Sequence, residues 1–325
     1  MPTRGVIKSL PALALILGAC LGSRELAGLI SVPVGQWPED IVVSPDSGRV
    51  FVADEGSATV SVLTASGAPV GTRRLASRAR HLAIDPGLGL LYVPNERSGF
   101  VAALDTDTLD ERFRLPAGEA PHGIATDPAA HRAFVADEAA GVVTAYDGGT
   151  GRQLFTVPVG PRPGGVAADA VTGRVFVVII TENRLVALDG ATGQILARMP
   201  VGRGPTHVGL NRTTGVVYVL NTEADSVTLV DGRALRVLAT LAVGRYPIGV
   251  AIDDVAGRAY VVNNRANSLS VVDEAAPTVT ATRPLPPNVS SAALSPRADV
   301  LYLGLKSRGQ VGIVRVTDLR PPGTP

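Results

Sequence analysis

An all-β fold, a seven-bladed β-propeller built from four-stranded antiparallel blades, is predicted by three observations. One aromatic position recurs at Phe51, Tyr92, Phe134, Phe176, Tyr218, Tyr260 and Tyr302, with a first step of 41 residues and later steps of 42. Each copy carries short apolar runs the length of strands. The clearest copy shows them at 248–252, 259–262 and 269–272, followed by a β-branched run at 278–282, each bounded by Gly, Pro, Asn or Asp. A lone run of fourth-strand character, 28–34, precedes the first copy, while the last copy lacks a fourth strand. Constant repetition of a four-stranded unit is a propeller pattern. The two end defects match: the N-terminal strand completes the last blade, closes the ring and removes its exposed edges.

Taken in order, the chain opens on an address. Arg4 and Lys8 precede an apolar stretch, 10–19, of about half the ~20 residues a bilayer span needs. This is a secretory signal over residues 1–19. It ends in Leu17-Gly18-Ala19-Cys20, which resembles the bacterial lipoprotein box, so Cys20 is the expected lipidated N-terminus and the membrane the expected anchor. Leu21 follows where an inner-membrane retention signal would place Asp. Residues 20–27 form a tether of eight steps, at most about 28 Å extended. Because the closing strand starts on the face that carries the loops between third and fourth strands, that face is expected to lie toward the membrane.

The propeller is expected over 28–316. Its blades start from their inner strands at roughly 38–75, 79–115, 121–158, 163–200, 205–242, 247–284, and 289–316 plus 28–34. Residues 317–325 form a Pro-rich tail. The 30 basic and 29 acidic residues give a net charge of +1, so bulk charge draws no polyanion. The 36 glycines and 25 prolines punctuate turns throughout, and do not mark disorder. Cys20 is the only cysteine, which excludes an intramolecular disulfide, a cysteine-based zinc site and covalent c-type haem.

The pattern V-G-x-x-P-x-x-V-A-x-D-x-x-x-G-x-x-Y/F-V-x-N/D, followed by a strand ending in Asp, runs from Val243 to Asn263. It recurs less fully at 201–221 and 159–178. This resembles the YVTN-type, YncE-like family of bacterial β-propeller repeats over about residues 28–316. The resemblance specifies fold far better than function, since related propellers include a DNA-binding periplasmic protein, surface-layer proteins, lactonases and haem- or quinone-associated proteins. Several recurrent residues have structural roles. Asp105, Asp147, Asp189, Asp231 and Asp273 end third strands, where Asx turns are expected. Asp54, Asn95, Asp137, Asn221 and Asn263 belong to turn chemistry after the second strands. Asp105, Asp107 and Asp110 lack the glycine and distal Glu of a calcium loop and read as a turn.

Functional candidates lie where copies depart from the pattern. His81 and His207 share the register of Gly249 at the start of inner strands, and His122 falls one residue earlier in its copy. Glu39 and Asp40 are the equivalent pair in the first blade. These positions converge on one mouth of the central channel, where imidazoles and carboxylates could hold a divalent metal or act as acid and base. Trp37, the only tryptophan, is placed on the same face as a lid or stacking group. Glu55, Glu96 and Glu138 form an acidic arc there, with Arg162, Arg203, Arg245 and Arg265 opposite, so a polarised face is expected. Ile179 replaces the usual Asn or Asp, which means either a longer, buried strand or an apolar contact patch. His131 falls on the opposite face as a solvated loop residue.

The function these readings favour is an exported, lipid-anchored, monomeric binding or scaffold module of the cell envelope, facing the periplasm or the exterior. It would take a protein or small molecule on its channel-mouth face, and binding is favoured over catalysis. One alternative is a lactonase-like, metal-dependent hydrolase resembling the gluconolactonase propellers, for whose ligand set only Glu39 or Asp40 offers a match. A second is a YncE-like DNA-binding protein, against which the balanced charge and an aromatic content of 4% weigh. A single tryptophan also counts against the quinoprotein dehydrogenase type, which repeats a tryptophan motif in its blades. No Walker loop, G-x-S-x-G or H-E-x-x-H sequence occurs.

Overall fold

The computed structural model describes residues 26–319, so the signal segment, Cys20 and the last six residues lie outside the described residues. Seven four-stranded antiparallel sheets follow one another around a central channel. Six are made from consecutive strands. The seventh joins the strand Ile30–Pro33 to Gln310–Arg315, which pairs in turn with Val300–Leu305 and the inner strand Val289–Leu294. Ser31 faces Gly312 and Val32 faces Val311, so the ring is closed by the N-terminal strand as the end defects required.

The blades occupy residues 38–74, 83–116, 121–158, 163–200, 205–242, 247–284, and 289–315 with 30–33. The expected boundaries stand within a residue or two, with one exception. The second blade's inner strand is only Ala83–Asp85, and not a full strand from 79. Its lead-in, Arg78-Ala79-Arg80-His81, lacks the Pro that opens the other inner strands except the seventh. The Leu82 amide there is taken by a side chain of blade one, Asp40, at 2.9 Å. The C-terminal boundary also moves: Val316–Leu319 forms a 3-10 turn, and Leu319 is buried.

The core lies between blades. The seven aromatic positions are each no more than 2% exposed, and every one packs against apolar strands of its own and a neighbouring blade. The turn aspartates act as expected. Asp105 accepts from the amides of Asp107 and Thr108, Asp189 from Ala191 and Thr192, and Asp231 from Arg233 and Ala234. Asn221 and Asn263 have a different role from turn chemistry. They are buried, and each donates from Nδ2 to two hydroxyls of the adjacent third strand. Ile179, at the same position in blade four, is fully buried, and its strand is six residues long, no longer than its neighbours.

Contacts between blades repeat with the ring. Arg132 donates to the carbonyl of Gly190, Arg174 to those of Gly232 and Arg233, and Arg49 to that of Thr106. Arg132 and Arg174 open second strands, Arg49 immediately precedes one, and each reaches the turn after the third strand of the next blade. His131 is not merely solvated: its Nδ1 lies 2.9 Å from Oδ2 of Asp85, a carboxylate buried in the preceding blade.

Candidate functional site

The inner strands enclose a channel cavity of about 1410 Å³. Its wall is apolar and small through the middle, with Ala83, Ala125, Ala167 and Ala251 among its lining residues. The polar groups concentrate at one end, where inner strands begin. There the ring position reads Asp40, His81, Gly123, Gly165, His207, Gly249 and Ser291. Close approach of neighbouring backbones explains the glycines. A Cβ on Gly123 would stand 2.2 Å from the Gly164 carbonyl oxygen, and one on Gly249 would stand 2.9 Å from the Ser291 Cα. Side chains of size fit only where that approach relaxes.

Asp40 occupies such a place. Its two carboxylate oxygens accept from the amides of Ile41 and Leu82, and Oδ2 lies 3.8 Å from His81 Nδ1. Burial pushes its carboxyl up to about 7, against the lowering effect of those two amides. The histidines meet as the register implied. The His81 ring stands edge-on to His122, with centroids 4.6 Å apart, and lies 5.4 Å from His207. Blades two, three and five thus join their imidazoles over the end of the channel. Burial lowers all three below the usual histidine range, His81 well below it and His207 to about 4, with the neighbouring imidazoles adding to the effect at His81 and His207. At neutral pH the cluster is uncharged. Among the described residues, no group of three or more His, Cys, Asp or Glu side chains is placed so that it could hold a metal ion without rearrangement.

Glu39 belongs to a different arrangement. Lys306 of blade seven contacts Oε2 of Glu39 at 2.5 Å and Oε2 of Glu55 at 3.2 Å. Arg80 reaches Glu55 at 3.0 Å and Glu96 at 3.7 Å, while Arg162 pairs with Glu138 at 2.9 Å. Burial works against ionisation of Glu55, but Arg80 and Lys306 hold its carboxyl below the usual range. The expected acidic arc is therefore neutralised in place by Arg80, Lys306 and Arg162, and the face is not simply polarised. Sequence reasoning missed Arg80 and Lys306, although Arg80 adjoins His81 and Lys306 holds in blade seven the repeat position of Glu55, Glu96 and Glu138. Across the ring, Arg245 donates to the Arg265 carbonyl, and the Arg265 guanidinium lies 3.9 Å over the Tyr246 ring.

Trp37 sits on the rim, outside the cavity lining, and is 48% exposed. Its backbone is left-handed, φ 55°, and so are those of Arg162 and Tyr246, its counterparts in blades four and six. The Trp37 ring lies close over Gly56, where a Cβ would come within 3.0 Å of it. The Asn and Asp side chains that a lactonase-type ligand set would need at the axis are inside the blades instead, as Asp54, Asn221 and Asn263 show.

Comparison with known proteins gives the following. The family described as "Outer membrane protein assembly factor BamB" matches residues 32–245. No curated protein matches significantly. Among solved structures, a chain of Kuenenia stuttgartiensis hydrazine synthase superposes with a TM-score of 0.74 at 18% identity, covering 86% of this chain and 96% of that one. U3-55K gives 0.80 at 14% identity, covering 90% and 99%, and a chain of the mitotic checkpoint complex gives 0.78 at 14%, covering 97% and 99%. At such identities the likeness is one of fold alone.

Proposed function

This chain belongs to the family of the outer membrane protein assembly factor BamB, and from that premise we propose that it is an exported envelope scaffold whose channel-mouth face docks a protein partner. The family description places its members in outer membrane protein assembly, and the signal segment and Cys20 supply the matching address. The YVTN-type repeat is the finer form of the same reading. Lipidation at Cys20 would anchor the ring on the face from which the strand Ile30–Pro33 starts, leaving the channel-mouth face outward.

The observation that carries the reading is the rim residue Trp37. It is a large aromatic side chain, 48% exposed, on a left-handed turn that the repeat also forms at Arg162, Tyr246 and Asn288. Trp37 and Tyr246 hold equivalent rim positions in blades one and six, on either side of blade seven, with Arg245 and Arg265 beside Tyr246. Trp, Tyr and Arg are the residue types that dominate binding energy at protein interfaces.

The test is photo-crosslinking in cells, with a photoreactive residue at Trp37 or Tyr246 and, as comparison, at Val171 or Val255 on the opposite face. Val171 and Val255 are 70% and 95% exposed, so access does not limit them. A discrete protein adduct from positions 37 and 246 alone is expected. Adducts only from 171 and 255 would reverse the assignment of faces.

A further inference from the structure

We propose that His81, His122 and His207 form a binding site for one borderline divalent transition-metal ion, such as Zn²⁺, at the end of the channel, with Asp40 as the neighbouring carboxylate. This does not rest on the partner reading, because it concerns the lumen and not the rim.

The Thr222 hydroxyl lies 2.8 Å from the carbonyl oxygen of Pro247, which can only accept, so Thr222 is the donor. Its single proton is then spent. In its contact with Thr206 it must accept, which makes Thr206 the donor there. Thr206 in turn has no proton left for His207, whose Nδ1 lies 2.9 Å from Thr206 Oγ1. His207 therefore donates from Nδ1, which leaves Nε2 as the nitrogen whose lone pair can face a ligand. A fixed chain of hydroxyls, ending on the backbone carbonyl of Pro247 at the start of the next blade, sets one tautomer of one imidazole. Metal-binding histidines are held in this way, by an oxygen that accepts from the other ring nitrogen.

Two further observations point to the same ligand. Nδ1 of His122 is buried and has no hydrogen-bond partner, a costly arrangement for a polar atom unless something occupies it at times. Asp40 has no Lys or Arg partner: among the described ion pairs its only one is with His81 at 3.8 Å, too long for a hydrogen bond. Neutral imidazoles with a nearby carboxylate suit Zn²⁺, Ni²⁺ or Cu²⁺, whereas Ca²⁺ and Mg²⁺ prefer oxygen sets. The rings now pack edge to face and are not arranged as a closed chelate, so binding turns side chains about their χ angles while the inner strands stay in place. The channel gives the ion a route.

The experiment is calorimetric titration of the metal-stripped, untagged protein with ZnCl₂, with MgCl₂ as the hard-cation comparison. One Zn²⁺ per chain is expected at micromolar affinity or tighter, with no saturable Mg²⁺ binding. His207→Ala and His122→Ala should each weaken Zn²⁺ binding by roughly 100-fold, with His207→Gln replacing any alanine variant that fails to fold. Thr206→Val should weaken it about 10–100-fold, as loss of an orienting partner does, and Thr206→Ser should restore it. The ¹⁵N shifts of His207 should report Nδ1–H in the wild type and lose that preference in Thr206→Val. His131→Ala should leave affinity unchanged. Absence of saturable Zn²⁺ binding overturns the proposal. So does wild-type affinity in the His122→Ala, His207→Ala double variant, which would place the ion elsewhere, at Cys20 or His131.

Discussion

Asp40 of the first blade accepts the Leu82 amide of the second at 2.9 Å, a side-chain bridge between neighbouring inner strands. It is the only position of that ring register where a carboxylate bridges two blades.

The bridge predicts an unusual pH dependence. The Asp40 carboxyl rises from 3.8 to about 7 on folding, chiefly through burial. The folded state therefore holds a proton that the unfolded chain releases, and Asp40 lowers stability progressively as pH rises from about 4 to 7. The side chain is 26% exposed to the lumen, so the effect is below the full value and on the order of 2–4 kcal/mol. Asp40→Asn keeps one acceptor and loses the other, a cost of about 1 kcal/mol. It should melt below wild type at pH 5 and at or above it at pH 8. Parallel melts across that range check this, and a constant difference would count against it.

The histidines act in the opposite sense. His207 falls from 6.5 to about 4 on folding, and burial lowers His81 and His122 as well. Their neutral forms fit the fold, so their contribution is present above pH 6.5 and is lost as pH falls toward 4. Three groups oppose one, and the wild type should lose stability on acidification through this window. His207→Gln should shallow that acid limb, by up to a few kcal/mol at pH 4.5 relative to pH 7. Urea midpoints at the two pH values measure it.

The ring itself was open to reading from the sequence because its cause is periodic. A 42-residue spacing of buried aromatics fixes blade number, blade limits and the need for a closing strand, and the same register placed Asp40, His81 and His207 on one channel mouth. What was hidden depends on pairs without a pattern of their own. Lys306 meets Glu39 only through closure of the ring, 267 residues apart. His131 reaches Asp85 across a blade boundary, and the Thr222–Thr206–His207 relay joins a loop of blade five to the start of its inner strand. The late start of blade two needs the fact that Asp40 has taken its amide. One signal was available: arginine recurs in one register at 49, 132 and 174, at or just before the start of second strands, where solvent exposure alone gives no reason for it.

His131 offers a third prediction. Asp85 is 1% exposed and keeps only the Leu88 amide if the imidazole is removed. His131→Ala should destabilise by about 1–3 kcal/mol, the usual cost of stranding a buried polar group. Asp85→Asn in the His131→Ala background should recover part of the loss, because the stranded group is then neutral. A double-mutant cycle by urea unfolding tests the coupling, and additive effects would show that the two residues do not act as a pair.

Closure gives the last. Among the described residues, the strand Ile30–Pro33 is the one that pairs with the outer edge of Gln310–Arg315. Without it, Val311 and Ile313 would border an open ladder of unpaired amides and carbonyls, the arrangement that invites pairing with a second chain. A mature chain started at Gly35 should therefore associate or aggregate in a concentration-dependent way, while the other six blades retain their sheet signal. Val32→Pro is the milder form, since it removes one ladder amide and leaves Val34 bonded to the Gly309 carbonyl. It should lower the melting temperature by several degrees without loss of the monomer. Adding a synthetic peptide of residues 26–35 in trans should return the shortened chain to a monomer in sedimentation. If the shortened chain is already monomeric and as stable as the full ring, the N-terminal strand does not hold the ring closed.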